Sequence, residues 1–69
     1  MKISARNVFP GTVTAIKAGS VNSEVSIEIA KGIVITAVVT KASAKHLKLK
    51  KGAKAFAVIK ASSVLLATE

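Results

Sequence analysis

The chain has 69 residues, 51% of them hydrophobic, with eleven Lys and Arg against three Glu, no Asp and no Cys, for a formal net charge of +8. That length allows one small domain with a marginal core of its own, and without Cys neither a disulfide nor a thiolate-held metal can reinforce it. So much apolar surface on so short a chain predicts a homo-oligomer, and the positive balance predicts an anionic partner.

The start, Met1-Lys2-Ile3-Ser4, lacks the apolar run of a signal peptide, so a cytoplasmic location is expected. A long first strand follows, bent or bulged at Pro10-Gly11 and ended by Ala18-Gly19-Ser20. In residues 21–29, Val21, Ser23, Val25, Ile27 and Ile29 alternate with Asn22, Glu24, Ser26 and Glu28, the pattern of a strand with one wet face. Lys31-Gly32 predicts a tight connection. Residues 33–39 are apolar on both faces and rich in β-branched side chains, so this strand should be covered on both sides, one of them by another subunit. It is too short to cross a membrane, and Thr36 interrupts it. Thr40 is placed to cap a short helix over residues 41–48, with Gly52 as its stop. Residues 53–59 and 64–68 read as the last two strands. The sum is an all-β fold, a small five-stranded OB-like barrel with one short helix between strands three and four.

The inventory argues against catalysis. Glu24 and Glu28 share a strand face but stand roughly 13 Å apart by the rise per residue, too far for a tight acid/base dyad. His46 lies among lysines with no carboxylate or second His near it in sequence. No catalytic residue, cofactor or free metal cation is expected, since cation sites need carboxylates or several Cys and His. Hydrogen-bond donors, by contrast, gather in three segments: Ser4-Ala5-Arg6-Asn7, Thr40-Lys41-Ala42-Ser43 and Lys60-Ala61-Ser62-Ser63. Arg and Lys bring charge, Ser and Thr bring hydroxyls, and small Ala neighbours let backbone N–H groups come close. Converging, they would cage a small tetrahedral oxyanion. Phosphate near neutral pH keeps a proton and gains from an acceptor such as Asp, whereas molybdate, tungstate and sulfate ask only for donors. A helix start beside Thr40 and Ser43 also favours an anion, although both residues can serve simply as a cap. Asn7 suits a structural role, satisfying backbone groups at a strand bend.

Through Ile3-Ser4-Ala5-Arg6-Asn7, the strand from Asn22 to Ile29, the block 36–52 and Ala57-Val58-Ile59-Lys60-Ala61-Ser62, the chain resembles the molbindins, the single-domain Mop family of molybdate-binding proteins. The resemblance covers essentially all of residues 1–69 as one Mop domain. It implies that Ser4 and Arg6 are N-terminal oxyanion contacts, Thr40 and Ser43 donors at the helix start, and Lys60 the basic contact before the last strand. Ala61 and Ser62 would add backbone or hydroxyl donors. A second class of site, on symmetry axes, has Gly19, Val21, Asn22 and Lys31 as candidates. The implied assembly is a hexamer, a trimer of dimers with sites at subunit interfaces, and the implied role is cytoplasmic storage or homeostasis of molybdate and tungstate.

Two other readings compete. A basic OB-type nucleic-acid-binding module fits the charge and the fold class, but Phe9 and Phe56 are the only aromatics and their apolar settings suit a core rather than a stacking platform. No specific nucleic acid and no membrane is therefore expected as a partner. A ligand-sensing module of the kind fused to transporter ATPases or transcription factors could act here only through a separate protein. Lys41, Lys45, Lys48, Lys50, Lys51 and Lys54, clustered around His46, read as a solvated face.

Overall fold

The computed structural model describes residues 1–69. Four strands form, β1 (Asn7–Ala18), β2 (Asn22–Ala30), β3 (Ile33–Thr40) and β4 (Lys54–Ile59), with a helix α1 (Lys41–His46) between β3 and β4 and a 3-10 turn at Ala61–Ser63. All pairings are antiparallel, in the order β3-β2-β1-β4, and the sheet curls into half a barrel.

β1 organises that curl by changing partners. Its first half, Asn7 to Thr12, pairs with β4, and from Thr12 onward it pairs with β2. Pro10, which has no N–H, falls where β1 has a neighbour on one side only, the kind of position a strand proline tolerates. At Gly11 a Cβ would meet Glu28 O at 2.6 Å and Ile27 Cγ1 at 2.8 Å, so the crossing with β2 requires glycine. The register irregularity itself comes later, between Val13 and Ala15. There Thr14 is the extra residue, and its Oγ1 donates to Ser26 O at 3.3 Å.

The alternation of β2 holds in its centre, where Ser23, Val25 and Ile27 are buried with Val13 of β1 while Glu24 and Glu28 are exposed; Val21 lies before the strand at 70% exposure, and Ser26 and Ile29 are both half-buried. Val13, Ser23, Val25 and Ile27 are the only four buried residues of 69. The hairpin closes at Lys31-Gly32, with Gly32 at φ +76° and Ala30 paired with Ile33. On β3, Ile35, Ala37 and Val39 are half-buried toward an apolar trough of about 610 Å³ on the concave face. Val34 and Val38 on its other face stay bare, Val38 at 67% exposure. Within one chain, then, the two-sided apolar strand is covered on one side.

Three expectations are corrected. Residues 64–68 form no strand: Val64 is extended (φ −87°, ψ 127°) but the segment has no ladder, and Leu65 and Leu66 are 91% and 94% exposed. Its sequence dictates extended backbone, yet a strand also needs a partner edge. The sheet therefore has four strands instead of five. The helix stops at His46, and Lys48, rather than Gly52, supplies the left-handed residue behind it (φ 56°). Leu49 N–H donates to Ala44 O at 3.0 Å and Lys48 N–H to Lys45 O at 3.1 Å, the paired bonds of a Schellman end. Gly52, at φ +91°, belongs to the next turn. Phe56 is no core residue, being 55% exposed on edge strand β4, whereas Phe9 is half-buried.

Candidate functional site

The first and third donor segments meet. Asn7 pairs with Ile59 at the last rung of the β1–β4 ladder, and Asn7 Nδ2 donates to Ile59 O at 3.2 Å. The residues just outside that rung, Ile3 to Arg6 before it and Lys60 to Ser62 after it, line one open cleft of about 560 Å³. Ser4, Arg6, Lys60 and Ser62 are exposed, and none of their side chains hydrogen-bonds within the chain. In the 3-10 turn, Ser63 N–H reaches Lys60 O at 2.8 Å and Val64 N–H reaches Ala61 O at 3.3 Å, while the N–H groups of Ala61 and Ser62 have no backbone acceptor. Two charges, two hydroxyls and two free amides thus surround a single cleft that contains no carboxylate.

Thr40 and Ser43 are elsewhere. Thr40 pairs with Asn22 at the far end of β2, beside the Ala18 end of β1, and neither residue lines the cleft. The cleft lies outside the Asn7 end of β1 and the pair beside its Ala18 end, so within one chain the two donor groups are at opposite ends of a 12-residue strand. The pair already forms a cap: Ser43 N–H donates to Thr40 Oγ1 at 3.0 Å, and the Thr40 hydroxyl donates to Ser43 Oγ at 2.9 Å. The hydroxyl hydrogen of Ser43 remains free to donate.

Of the second-site candidates, Gly19, Val21 and Asn22 share the turn beside this cap. Gly19 N–H donates to Asn22 O at 2.8 Å and Lys41 N–H to Val21 O at 3.0 Å. Lys31 is at the opposite tip of the β2–β3 hairpin, in another open cleft of about 650 Å³ with Thr12, Glu28 and Lys54. Lys54 Nζ donates to Thr12 Oγ1 there at 2.9 Å, a link across the β1–β4 ladder that sequence reading missed, since only the register makes these residues partners. Glu24 and Glu28 are both exposed, Glu28 accepting from Gly32 N–H at 3.4 Å, and His46 is exposed too. No group of three His, Cys, Asp or Glu is placed to hold a metal ion. No helix is long and apolar enough to cross a membrane.

A curled antiparallel sheet with a donor-lined cleft at one end is an OB-like module, and residues 3–66 match the TOBE domain, so the chain belongs to that family. Within it the likeness is to the molbindins. A probable molybdenum-pterin-binding protein of Haemophilus influenzae is 48% identical over the full length of both chains. The molybdenum transport protein ModE of Azotobacter vinelandii is 51% identical over all of this chain, which spans 26% of that protein. Among solved structures, the cytoplasmic molybdate-binding protein ModG with molybdate bound superposes with a TM-score of 0.90 at 49% identity, over 94% of this chain and 46% of ModG.

Proposed function

We propose that the chain is a cytoplasmic molybdate- and tungstate-binding protein that stores or buffers the anion, built as one Mop domain over residues 1–69 and without enzymatic activity. The cage is shared between copies: Ser4, Arg6, Lys60, Ala61 and Ser62 come from one chain, Thr40 and Ser43 from another. One observation carries this reading, the separation within a single chain of a cleft full of unspent donors from the Thr40–Ser43 pair. A donor-only cleft suits a fully deprotonated oxyanion, because each charge-assisted bond is stronger than a neutral one. The molybdenum-binding names of the relatives support the same choice.

Assembly follows from what the single chain leaves bare. Val38, Phe56, Leu65 and Leu66 are all more than half exposed, too much apolar surface for so small a core to leave in water. A hexamer built as a trimer of dimers covers it and brings the two donor groups together. The anion, binding only the assembled form, then stabilises the oligomer by mass action. Native mass spectrometry with and without molybdate is the test. Six subunits carrying bound molybdate are expected, and a monomer that takes up one molybdate by itself would overturn the shared cage.

A further inference from the structure

Lys41, Lys45, Lys48, Lys50, Lys51 and Lys54 fall on one continuous stretch of backbone, α1, the loop that follows it and the first residue of β4. All six are exposed, and only Lys54 makes a side-chain hydrogen bond. The loop is tied down along its length. Leu49 N–H returns to Ala44 O at 3.0 Å, Ala53 N–H to Lys50 O at 2.9 Å, and Gly52 N–H reaches Val13 O at 2.8 Å. The backbone that carries the lysines is therefore fixed along its length rather than mobile. From Ile29 to Thr68 there is no acidic residue to neutralise them. Glu24 stands opposite Lys17 in the β1–β2 ladder, and Glu28, which accepts from Gly32 N–H, shares a cleft with Lys54 alone of the six.

Crowding like charges works against the compact state, and these side chains return little packing or hydrogen bonding for it. Their position suggests the compensation. Thr40 and Ser43 lie at the border of the group, since Lys41 directly follows Thr40 and Lys45 is two residues beyond Ser43. Unneutralised positive charge around a donor pair raises the local concentration of an anion and speeds its arrival.

We infer that this lysine group steers the dianionic ligand to the Thr40–Ser43 side of the cage; the inference rests on the oxyanion-binding reading given above. The lysines act on arrival and not on release, because the bound anion is held by the cage donors. Rapid filtration of the wild-type oligomer mixed with radiolabelled molybdate measures association, and a chase with unlabelled molybdate measures release. The variant Lys45→Gln/Lys48→Gln/Lys50→Gln/Lys51→Gln keeps the loop's backbone hydrogen bonds and leaves Thr40, Lys41 and Ser43 untouched. At low salt its association should be slower by about tenfold, the low end of the range for electrostatic steering, with release unchanged. The difference should vanish near about 1 M salt, where the screening length is about 3 Å. The matching Lys→Arg variant should keep wild-type rates, since charge alone is required.

Equal association rates for the wild type and the Gln variant at low salt would overturn steering. So would a loss carried by faster release, or one that persists at high salt. Absence of saturable molybdate uptake by the wild type would remove the functional reading itself, and steering with it.

Discussion

The two halves of the proposed cage differ in what their donors are already doing. At the Asn7 end, the side chains of Ser4, Arg6, Lys60 and Ser62 have no hydrogen-bond partner in the chain, and their segments flank the rung that joins Asn7 to Ile59. At the α1 end, Thr40 and Ser43 are bonded to each other and close the first turn of the helix. The side chains of the first half take no part in the fold's hydrogen bonding, so they can be removed without loss to it. The second half is part of the fold, so a change there should register in both stability and binding.

The largest expected effect is at the unspent half. Arg6→Ala and Lys60→Ala should each weaken molybdate binding by about 1.5 to 3 kcal/mol, the range for hydrogen bonds to charged groups, with no change in melting temperature of the ligand-free protein. Calorimetric titration and thermal melts of the same samples separate the two quantities. A fall in ligand-free stability to match the lost affinity would erase the distinction between the halves. Subunit number has to be followed in parallel, because a broken interface would imitate a broken site.

Next in size is the cap. Thr40→Ala removes the acceptor of Ser43 N–H and should cost about 1 kcal/mol of ligand-free stability, in addition to any loss of binding. Ser43→Ala keeps that backbone bond but removes the acceptor of the Thr40 hydroxyl, so it should cost less ligand-free stability than Thr40→Ala while still weakening binding. If Thr40→Ala left the melting temperature unchanged, the cap would carry no structural energy and the two halves would be alike.

How much of this was legible in the sequence depends on whether the signal was local. The alternation from Ser23 to Ile27, the Lys31-Gly32 hairpin and the Thr40 cap are each set by residues within a few positions of one another, and each appears in the structure, whereas Val21 falls outside the strand. Residues 64–68 have the extended backbone their composition favours at Val64, but a strand is a pairing between distant segments, and no periodicity reveals a missing partner. Phe56 is exposed for a related reason: its apolar neighbours in sequence say nothing about β4 being an edge strand. The cleft is a mixed case. Its residues could be named from their chemistry, whereas their meeting depends on the Asn7–Ile59 register.

Lys48 offers a further way to sharpen the comparison, because it lies on the structured side and is strained. A non-glycine residue in the left-handed region costs roughly 1 to 2 kcal/mol, and glycine there gives back part of that through its greater freedom when unfolded. Lys48→Gly should therefore stabilise the protein by about 0.5 to 1 kcal/mol while leaving equilibrium affinity nearly unchanged. A destabilised Lys48→Gly protein would mean that the lysine stem contributes packing at the end of α1 that its exposure does not suggest.

The smallest effects are expected at Lys50 and Lys51, and they decide whether the cage or the net charge holds the anion. Both side chains are exposed and make no hydrogen bond, and the backbone bond from Ala53 N–H to Lys50 O survives truncation of the side chain. Lys50→Ala or Lys51→Ala removes one charge of the lysine group. Its influence on a ligand beyond about 10 Å is largely screened at roughly 0.1 M salt. Each substitution should then change affinity by less than about 0.5 kcal/mol, well below the effect of Arg6→Ala. Titration of Arg6→Ala, Lys60→Ala, Lys50→Ala and Lys51→Ala at two salt concentrations makes the comparison direct. Equal losses in all four that disappear at high salt would mean that the anion is held by overall charge, and the contrast between unspent and committed donors would have no bearing on binding.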